Sequence, residues 1–406
     1  MERPYPKVIC NKKAERLIKS GHPWVYGEET SGPEQPFEGG DIVDVFTEKG
    51  SWMGSGFIND ASKIRVRLIS QNTNDRFDEA FWRRRIEYAV DYRRKVMGPD
   101  FSCCRLIFGE ADSFPGLTVD KFEDVLVTEV LSLGIEKCKN LIYRLLCEVL
   151  EARGCKVRCI YERNEGAIRL KEGLEQYKGY CEGFGSPSDG GHVTISENGI
   201  LYDVDYINGQ KTGFFLDQKY NRAAAGRLAA GMRVLDCFTH TGAFALSCAK
   251  GGAATVTAVD ISADAVLQTK KNAELNGLAD RIEVVQADVF DYLTELAASK
   301  KHPYDFIILD PPAFTKSGAT VKSAYRGYKE INLKAMKLLP RGGYLATASC
   351  SHFMTAELFR KMLADAAKDA GVRLRQIEER RQSPDHPVLW GVPETEYLKF
   401  LIFQVV

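Results

Sequence analysis

Arg233-Val-Leu-Asp-Cys-Phe-Thr-His-Thr-Gly-Ala-Phe244 decides the fold. A short apolar run closes on an acid, a polar loop with one glycine follows, and an apolar helix begins, which is the signature of a buried strand feeding a helix. The same unit recurs downstream: strand Thr255-Val-Thr-Ala-Val-Asp260, strand Ile282-Glu-Val-Val, strand Phe306-Ile-Ile-Leu-Asp310 and strand Tyr344-Leu-Ala-Thr-Ala, each followed by a helical pattern, then two C-terminal strands. Strict alternation of this kind predicts a doubly wound, Rossmann-like α/β sheet.

In such sheets ligands sit beyond the carboxyl ends of the strands. The first loop carries Asp236, Phe238, Thr241 and Gly242, and it lacks the G-x-G-x-x-G dinucleotide fingerprint. The second strand ends in Asp260, an acid placed to accept hydrogen bonds from ribose hydroxyls and to repel a 2′-phosphate, which disfavours NADP. The third delivers Asp288-Val289, where a carboxylate can accept from an adenine amino group. An acid at a strand end is as often a helix N-cap, but three at successive strand ends make an adenosine-shaped site.

The fourth strand ends Leu309-Asp310-Pro311-Pro312-Ala313-Phe314. Two prolines fix φ and remove two backbone donors, leaving a stiff loop with Asp310 at its mouth, able to grip the edge and face of a flipped base. The fifth ends Thr347-Ala-Ser-Cys350-Ser351-His352, which sets a thiol beside that loop if the two strands are neighbours. A lone cysteine is usually a small core hydrophobe, yet polar residues on both sides argue for a chemical role here.

Upstream, Gly183-Phe-Gly-Ser-Pro-Ser-Asp-Gly-Gly191 reads as a linker, followed by a β-hairpin turning at Asn198-Gly199. Residues 73–182 read as a compact α+β domain. Its first helix, between Asp75 and Gly98, has Arg83, Arg84, Arg85, Arg93, Arg94 and Lys95 on what reads as its outer face: a solvated surface or a phosphate-contacting stripe. Residues 1–72 hold short strands such as Asp41-Ile-Val-Asp-Val-Phe and Ile64-Arg-Val-Arg-Leu-Ile, preceded by a short basic helix ending near Gly21, and predict a small β-barrel. The doubly wound sheet, with its leading hairpin, would then occupy 183–406.

Composition bounds the rest. At roughly 150 residues per domain, 406 residues give two or three domains. Lys plus Arg (55) equals Asp plus Glu (55), so no global basic field marks a nucleic-acid partner, although a local patch can hide in a neutral average. The N-terminus lacks an apolar signal region, and no run reaches the ~18–20 apolar residues that span a bilayer. Eleven cysteines without a C-x-x-C pair and histidine partners favour reduced cytoplasmic thiols and no metal.

Taken together the motifs resemble the RlmI-type S-adenosylmethionine-dependent methyltransferases of large-subunit ribosomal RNA, over nearly the whole chain. Leu17-Ile-Lys-Ser-Gly-His-Pro-Trp-Val-Tyr26 is similar to the opening of that family's PUA domain, an RNA-binding barrel. Phe114-Pro-Gly-Leu-Thr-Val-Asp120, and Tyr161-Glu-Arg-Asn164 with Arg169-Leu-Lys-Glu-Gly-Leu174, resemble its central domain. Gln210-Lys-Thr-Gly-Phe-Phe-Leu-Asp-Gln218, Asp-Pro-Pro-Ala-Phe and Ser-Cys-Ser resemble its methyltransferase motifs. The resemblance implies a class I methyltransferase domain behind an N-terminal PUA-like barrel and a central α+β domain. S-adenosyl-L-methionine is the implied cofactor and large-subunit rRNA, free or in an assembly intermediate, the implied partner of a monomer or homodimer with no membrane association.

The resemblance further implies 5-methylcytosine as product. Carbon 5 of cytosine is a poor nucleophile, so the family's route adds a thiolate at carbon 6. Cys350 would be that nucleophile and Asp310 would hydrogen-bond the cytosine amino and ring-nitrogen edge, with Pro311, Pro312 and Phe314 around the base. Gln210, Thr212, Phe214, Asp217 and Gln218 would help close the cofactor site, and Arg83, Arg84 and Arg94 would hold phosphates. Two departures stand out: Ala243 where many class I enzymes carry glycine, and Ala313 where another 5-methylcytosine family has a second cysteine. The alternatives are methylation of a nitrogen (guanine N7 or an exocyclic amine), which needs no thiol, and a non-catalytic RNA-binding ribosome-assembly factor.

Overall fold

The computed structural model describes residues 3–33, 35–298, 303–315 and 317–406. Positions 1 and 2, where the signal-peptide reading begins, and position 34, inside the Gly/Pro break at 31–40, lie outside the described residues. The chain forms two compact units: residues 1–194, 204–216 and 384–395 in one, and 195–203, 217–383 and 396–406 in the other.

The second unit is built on strands β1 (Arg233–Cys237), β2 (Thr255–Asp260), β3 (Ile282–Gln286), β4 (Phe306–Leu309), β5 (Tyr344–Ser349), β6 (Leu374–Arg380) and β7 (Lys399–Val405). Their order is β3-β2-β1-β4-β5-β7-β6. The first five run parallel; β7 is antiparallel to β5 and β6 to β7. Every residue of β4 is buried, as a central parallel strand covered on both faces requires. The crossover helices are α1 (Ala243–Lys250), α2 (Ala263–Leu275), α3 (Val289–Ala298), α4 (Val321–Leu338) and α5 (Ala356–Ala370). They close a core in which Leu235, Ile307, Tyr328, Leu345, Phe359 and Leu401 are wholly or almost wholly buried. Truncating Phe359 to alanine there costs about 3–5 kcal/mol by loss of transfer energy and cavity formation. The strand order reverses between β1 and β4, so the crevice at the carboxyl ends of β1, β2, β4 and β5 is where a ligand fits.

The first unit contains two sheets. Six strands in the order Trp24–Tyr26, Ile64–Ser70, Trp52–Ile58, Ile42–Thr47, Lys7–Cys10, Thr30–Ser31 form the barrel-like module, with helix Lys12–Lys19 capped by Asn11. Five strands in the order Tyr177–Tyr180, Cys159–Asn164, Val125–Val130, Leu117–Phe122, Cys103–Phe108 form the second sheet, accompanied by helices Glu79–Met97 and Leu133–Glu151. Buried Glu172 ties the two together: it accepts from Arg67 at 2.8 Å, from Asn59 at 3.2 Å and from Ser62 at 2.5 Å.

Two readings of the sequence are corrected here. Arg93 is not on the outer face of its helix; it is fully buried, forks onto Asp112 at 2.5 and 2.7 Å, and donates to the carbonyls of Arg105 and Asp385. The Gly183–Gly191 stretch is not a loose linker. Asp189 accepts from Tyr206 at 2.9 Å and from the Gly191 amide at 3.0 Å and pairs with Arg158, while Ile160 donates to the Phe184 carbonyl. The hairpin of His192–Glu197 and Ile200–Asp205 follows, and the division between the units falls within it.

None of the eleven cysteines is joined in a disulfide. Among the described residues no helix is long and apolar enough to cross a membrane, and no group of three His, Cys, Asp or Glu side chains could hold a metal.

Candidate cofactor and active site

The loop from β1 to α1 is held in an uncommon shape. Phe238 (φ 62°), His240 (φ 52°) and Gly242 (φ 82°) all take left-handed backbone conformations, alternating with their neighbours. Two of the three carry side chains, so the loop stores about 1–3 kcal/mol of strain at each, of the kind that clusters at ligand sites. A Cβ at Gly242 would come within 2.6 Å of Thr269, so glycine is required on steric as well as conformational grounds.

Asp236 enforces this shape from below. It is fully buried, and one carboxylate oxygen accepts from the Thr239 hydroxyl at 2.6 Å and from the Ala245 amide at 3.0 Å. Burial pushes its pKa up to about 7, with the charges of Asp310 and Asp260 adding to the rise. Its other oxygen, and the hydroxyl of Thr241, are buried without a hydrogen-bond partner. Unsatisfied buried polar atoms are uncommon and call for an explanation. Burial holds His240 neutral, its pKa lowered to about 4.

Asp260 at the end of β2 accepts from the His240 amide at 2.9 Å and the Ser262 amide at 3.0 Å, one bond per oxygen. Each oxygen keeps a second lone-pair direction, so the carboxylate is both fixed in place and able to accept from ribose hydroxyls. Asp288 accepts from the Phe290 amide at 2.8 Å in the first turn of α3, which begins at Val289. The capping reading thus describes Asp288 as observed, and it leaves one oxygen for a further donor. The carboxylates after β1, β2 and β3 and the orphaned atoms of Asp236 and Thr241 fit a nucleoside with hydroxyl and amino donors.

Asp310, after β4, accepts from the Gln218 side-chain amide at 2.9 Å. Gln218 in turn accepts from Asn221 at 2.6 Å, and Asn221 accepts from Arg380 at 3.2 Å. Asp217 accepts from the Tyr397 hydroxyl at 2.6 Å. Pro311 is buried and Pro312 exposed. Phe314 packs on Tyr328 at 4.5 Å, on Phe290 at 5.8 Å and on Phe238 at 6.5 Å, linking the Asp-Pro-Pro loop to the cofactor loop.

β4 and β5 are neighbours in register, Leu309 facing Thr347, so Asp310 and Cys350 emerge from the same edge of adjacent strands. Cys350 is half-buried. Tyr328, which the sequence reading did not single out, lies against both: its hydroxyl accepts from Ser349 at 3.1 Å, and burial followed by the charges of Cys350 and Asp310 pushes its pKa up to about 12. Its place in an amphipathic helix marked it only as core.

The remaining expected site residues fall in the first unit. Thr212 is buried and donates to Asp120 at 2.6 Å, the carboxylate that Arg105 also grips at 2.7 and 2.8 Å. Phe214 is buried and Gln210 exposed. On the helix Glu79–Met97, Arg83 pairs with Glu79 and Glu148, Arg84 pairs with Asp75, and Arg94 is exposed.

A mixed sheet of order 3-2-1-4-5-7-6, its first five strands parallel, with three carboxylates around its switch point, is the fold of an S-adenosylmethionine-dependent methyltransferase, and the sequence places the chain in that class. The sequence model of that family, described as S-adenosylmethionine-dependent methyltransferase, matches residues 178–404, and a PUA-like domain matches residues 8–71. Curated relatives named ribosomal RNA large subunit methyltransferase I include one from Alteromonas mediterranea, 38% identical over 98% of both chains, and one from Shewanella denitrificans, 40% identical over 96% of this chain and 97% of its own. The chain belongs to the ribosomal RNA large subunit methyltransferase I family. Among solved structures, a SAM-dependent methyltransferase from Streptococcus mutans shares the fold (TM-score 0.82, 23% identity, 98% of this chain and 100% of that one). So does a methyltransferase complexed with SAH (TM-score 0.83, 22% identity, 98% and 100%).

Proposed function

We propose that the chain methylates carbon 5 of a cytosine in large-subunit ribosomal RNA, through a covalent adduct between Cys350 and carbon 6. The observation that carries this reading is the emergence of a half-buried thiol and a carboxylate from the adjacent strands β5 and β4, beside the cofactor cradle. A nitrogen methyltransferase has no use for a thiol in that position. The relatives' names supply the class of RNA.

Asp236, Asp260, Asp288 and the Phe238–Gly242 loop would hold S-adenosylmethionine, with Val289 beside the adenine; when bound it supplies an electrophilic methyl group for carbon 5. The protein's own part begins with the Cys350 thiolate, which forms a bond to carbon 6. The displaced π pair shifts through carbon 4 to the ring nitrogen, which takes up a proton from solvent and gives it back when the adduct collapses, and carbon 5 becomes enamine-like. Asp310 holds the amino and ring-nitrogen edge during this shift, and its carboxylate is kept in place by Gln218. Pro311, Pro312 and Phe314 form the rigid wall against which the extruded base rests. After carbon 5 is alkylated, loss of its proton restores the double bond and expels the thiolate.

Unstacking a base costs a few kcal/mol, which contacts to the RNA backbone must offset. The PUA-like module and exposed Arg94 are suited to that role; Arg83 and Arg84 would have to exchange their carboxylate partners for phosphate. The accessible strand this requires points to free RNA or an assembly intermediate as substrate, and the three sequence regions 1–72, 73–182 and 183–406 to RNA grip, support and chemistry.

Incubation with ribosomal RNA containing 5-fluorocytidine tests the covalent step, because fluorine at carbon 5 cannot leave as a proton does. A denaturation-resistant protein–RNA complex that needs both cofactor and Cys350 is expected. Its absence from wild type, with methylation of normal RNA intact, overturns the adduct.

A further inference from the structure

Lys399 is the first residue of β7, and in the antiparallel pairing with β5 it stands opposite Ser349, the residue before Cys350. Its side chain is 8% exposed. The ammonium donates to the carbonyl of Ser351, the residue after Cys350, at 2.5 Å and to the carbonyl of Tyr397 at 2.7 Å. The cation is therefore clamped between the backbone just after the thiol and the approach to its own strand, with two of its three protons used.

Such a charge is expensive. A buried ammonium is ordinarily paired with a carboxylate, and among the described residues no carboxylate lies within ion-pair distance of Lys399. The acid whose charge acts on it, Glu396, pairs with Arg381 at 3.1 Å. Burial lowers the Lys399 pKa to about 8, and Cys350 is the foremost charge opposing that fall, ahead of Glu396. Tyr328 on α4 feels the charges of both Cys350 and Asp310 and is held as a neutral hydroxyl, so of these neighbours the Asp310 carboxyl is the one that disfavours a further negative charge. His352 follows two residues later in the same loop.

We propose that Lys399 is a positioning residue for Cys350: its backbone-clamped ammonium is the counter-ion that holds the thiol as thiolate, ready to add to a substrate carbon, and receives the charge back when the thiolate is expelled. The inference rests on the proposed nucleophilic role of Cys350 for its use in catalysis, but not for the ion pair itself. An ordinary cysteine is only a few per cent thiolate at neutral pH, and a neighbouring cation is the usual means of raising that fraction.

The test is the rate of iodoacetamide alkylation at Cys350, read by peptide mass spectrometry across pH 6–10, on the full-length protein. Wild type should show a midpoint below the ordinary thiol value of about 8.5. Lys399→Met should move it upward by about one pH unit or more, and Lys399→Arg should restore most of the shift, since a charge rather than a shape is required. A wild-type midpoint at or above the ordinary value overturns the proposal without any variant, so a misfolded Lys399→Met protein leaves it testable. In methylation assays Lys399→Met should lower kcat about tenfold with little change in KM for RNA and move the pH optimum to the alkaline side. A shifted alkylation profile together with full methylation by Cys350→Ala would keep the ion pair and remove the covalent mechanism. An unshifted profile with methylation lost in Cys350→Ala would do the reverse.

Discussion

Gln218 donates its side-chain amide to Asp310 across 2.9 Å, and Gln218 is in turn fixed by Asn221 at 2.6 Å. The carboxylate proposed to meet the target base is thus aimed by an amide chain rooted in the segment before β1, rather than by the rigid Asp-Pro-Pro loop alone. An amide can only donate to that oxygen from its nitrogen side, so the Asn221 contact also sets which way Gln218 points.

Gln218→Leu removes that donor at nearly constant volume. We expect a loss of about 1–3 kcal/mol of stability from the unsatisfied buried groups and a fall in kcat of about tenfold or more, with cofactor affinity retained. Thermal unfolding and steady-state methylation check the two parts separately.

The raised pKa of Asp236 gives stability a pH dependence of definite sign. A carboxyl whose folded value is near 7 binds its proton more tightly folded than unfolded, so between about pH 4 and 7 its contribution to stability falls as pH rises. His240, with its pKa lowered to about 4, acts in the opposite sense between about pH 4 and 6.5, since the unfolded chain binds the extra proton there. Comparing Asp236→Asn with wild type isolates the first effect. The stability difference should move in favour of the variant by a few kcal/mol, ~2–4, from pH 4 to pH 7. Urea unfolding at the two pH values, without cofactor, measures it.

Arg93 and Arg94 are adjacent and should behave oppositely. Arg93→Ala leaves Asp112 buried without its fork and should cost about 3–5 kcal/mol of stability. Arg94→Ala should leave the melting temperature within a degree or so and lower the salt dependence of RNA binding by a slope of about 0.7–0.9. Calorimetry and binding titrations at several salt concentrations separate the two.

S-adenosylmethionine should raise the melting temperature of wild type, by the equivalent of about 2.7 kcal/mol at a hundredfold excess over Kd. Asp260→Ala, which removes both the acceptor for ribose and the tie to the His240 amide, should abolish most of that shift. A variant stabilised as much as wild type would remove Asp260 from the cofactor site.

The alternation from Arg233 onward was legible because parallel strands buried on both faces are nearly continuous apolar runs, and the acids at their ends interrupt them visibly. Arg93 was misread although its position told against the charge: Ile86, Ala89, Val90 and Met97 place it on the apolar stripe of its helix, where the long side chain reaches a distant carboxylate. The Gly183–Gly191 stretch has the composition of a linker, and what pins it are the far-off partners Arg158, Ile160 and Tyr206. Lys399 opens a mostly apolar strand, a position that reads as a solvent-exposed end. Its meaning comes from the antiparallel register with β5, which no local pattern contains. The segment Pro384–Thr395 escaped for the same reason, since it joins the first unit through Asp385 and Glu394 rather than through any periodicity.

The most direct test is mass spectrometry of nucleosides from ribosomal RNA treated with enzyme and isotopically labelled S-adenosylmethionine, for wild type and Cys350→Ala side by side. The account predicts labelled 5-methylcytidine from wild type and none from the variant. Label on a nitrogen, or equal labelling of carbon 5 by both proteins, would contradict it.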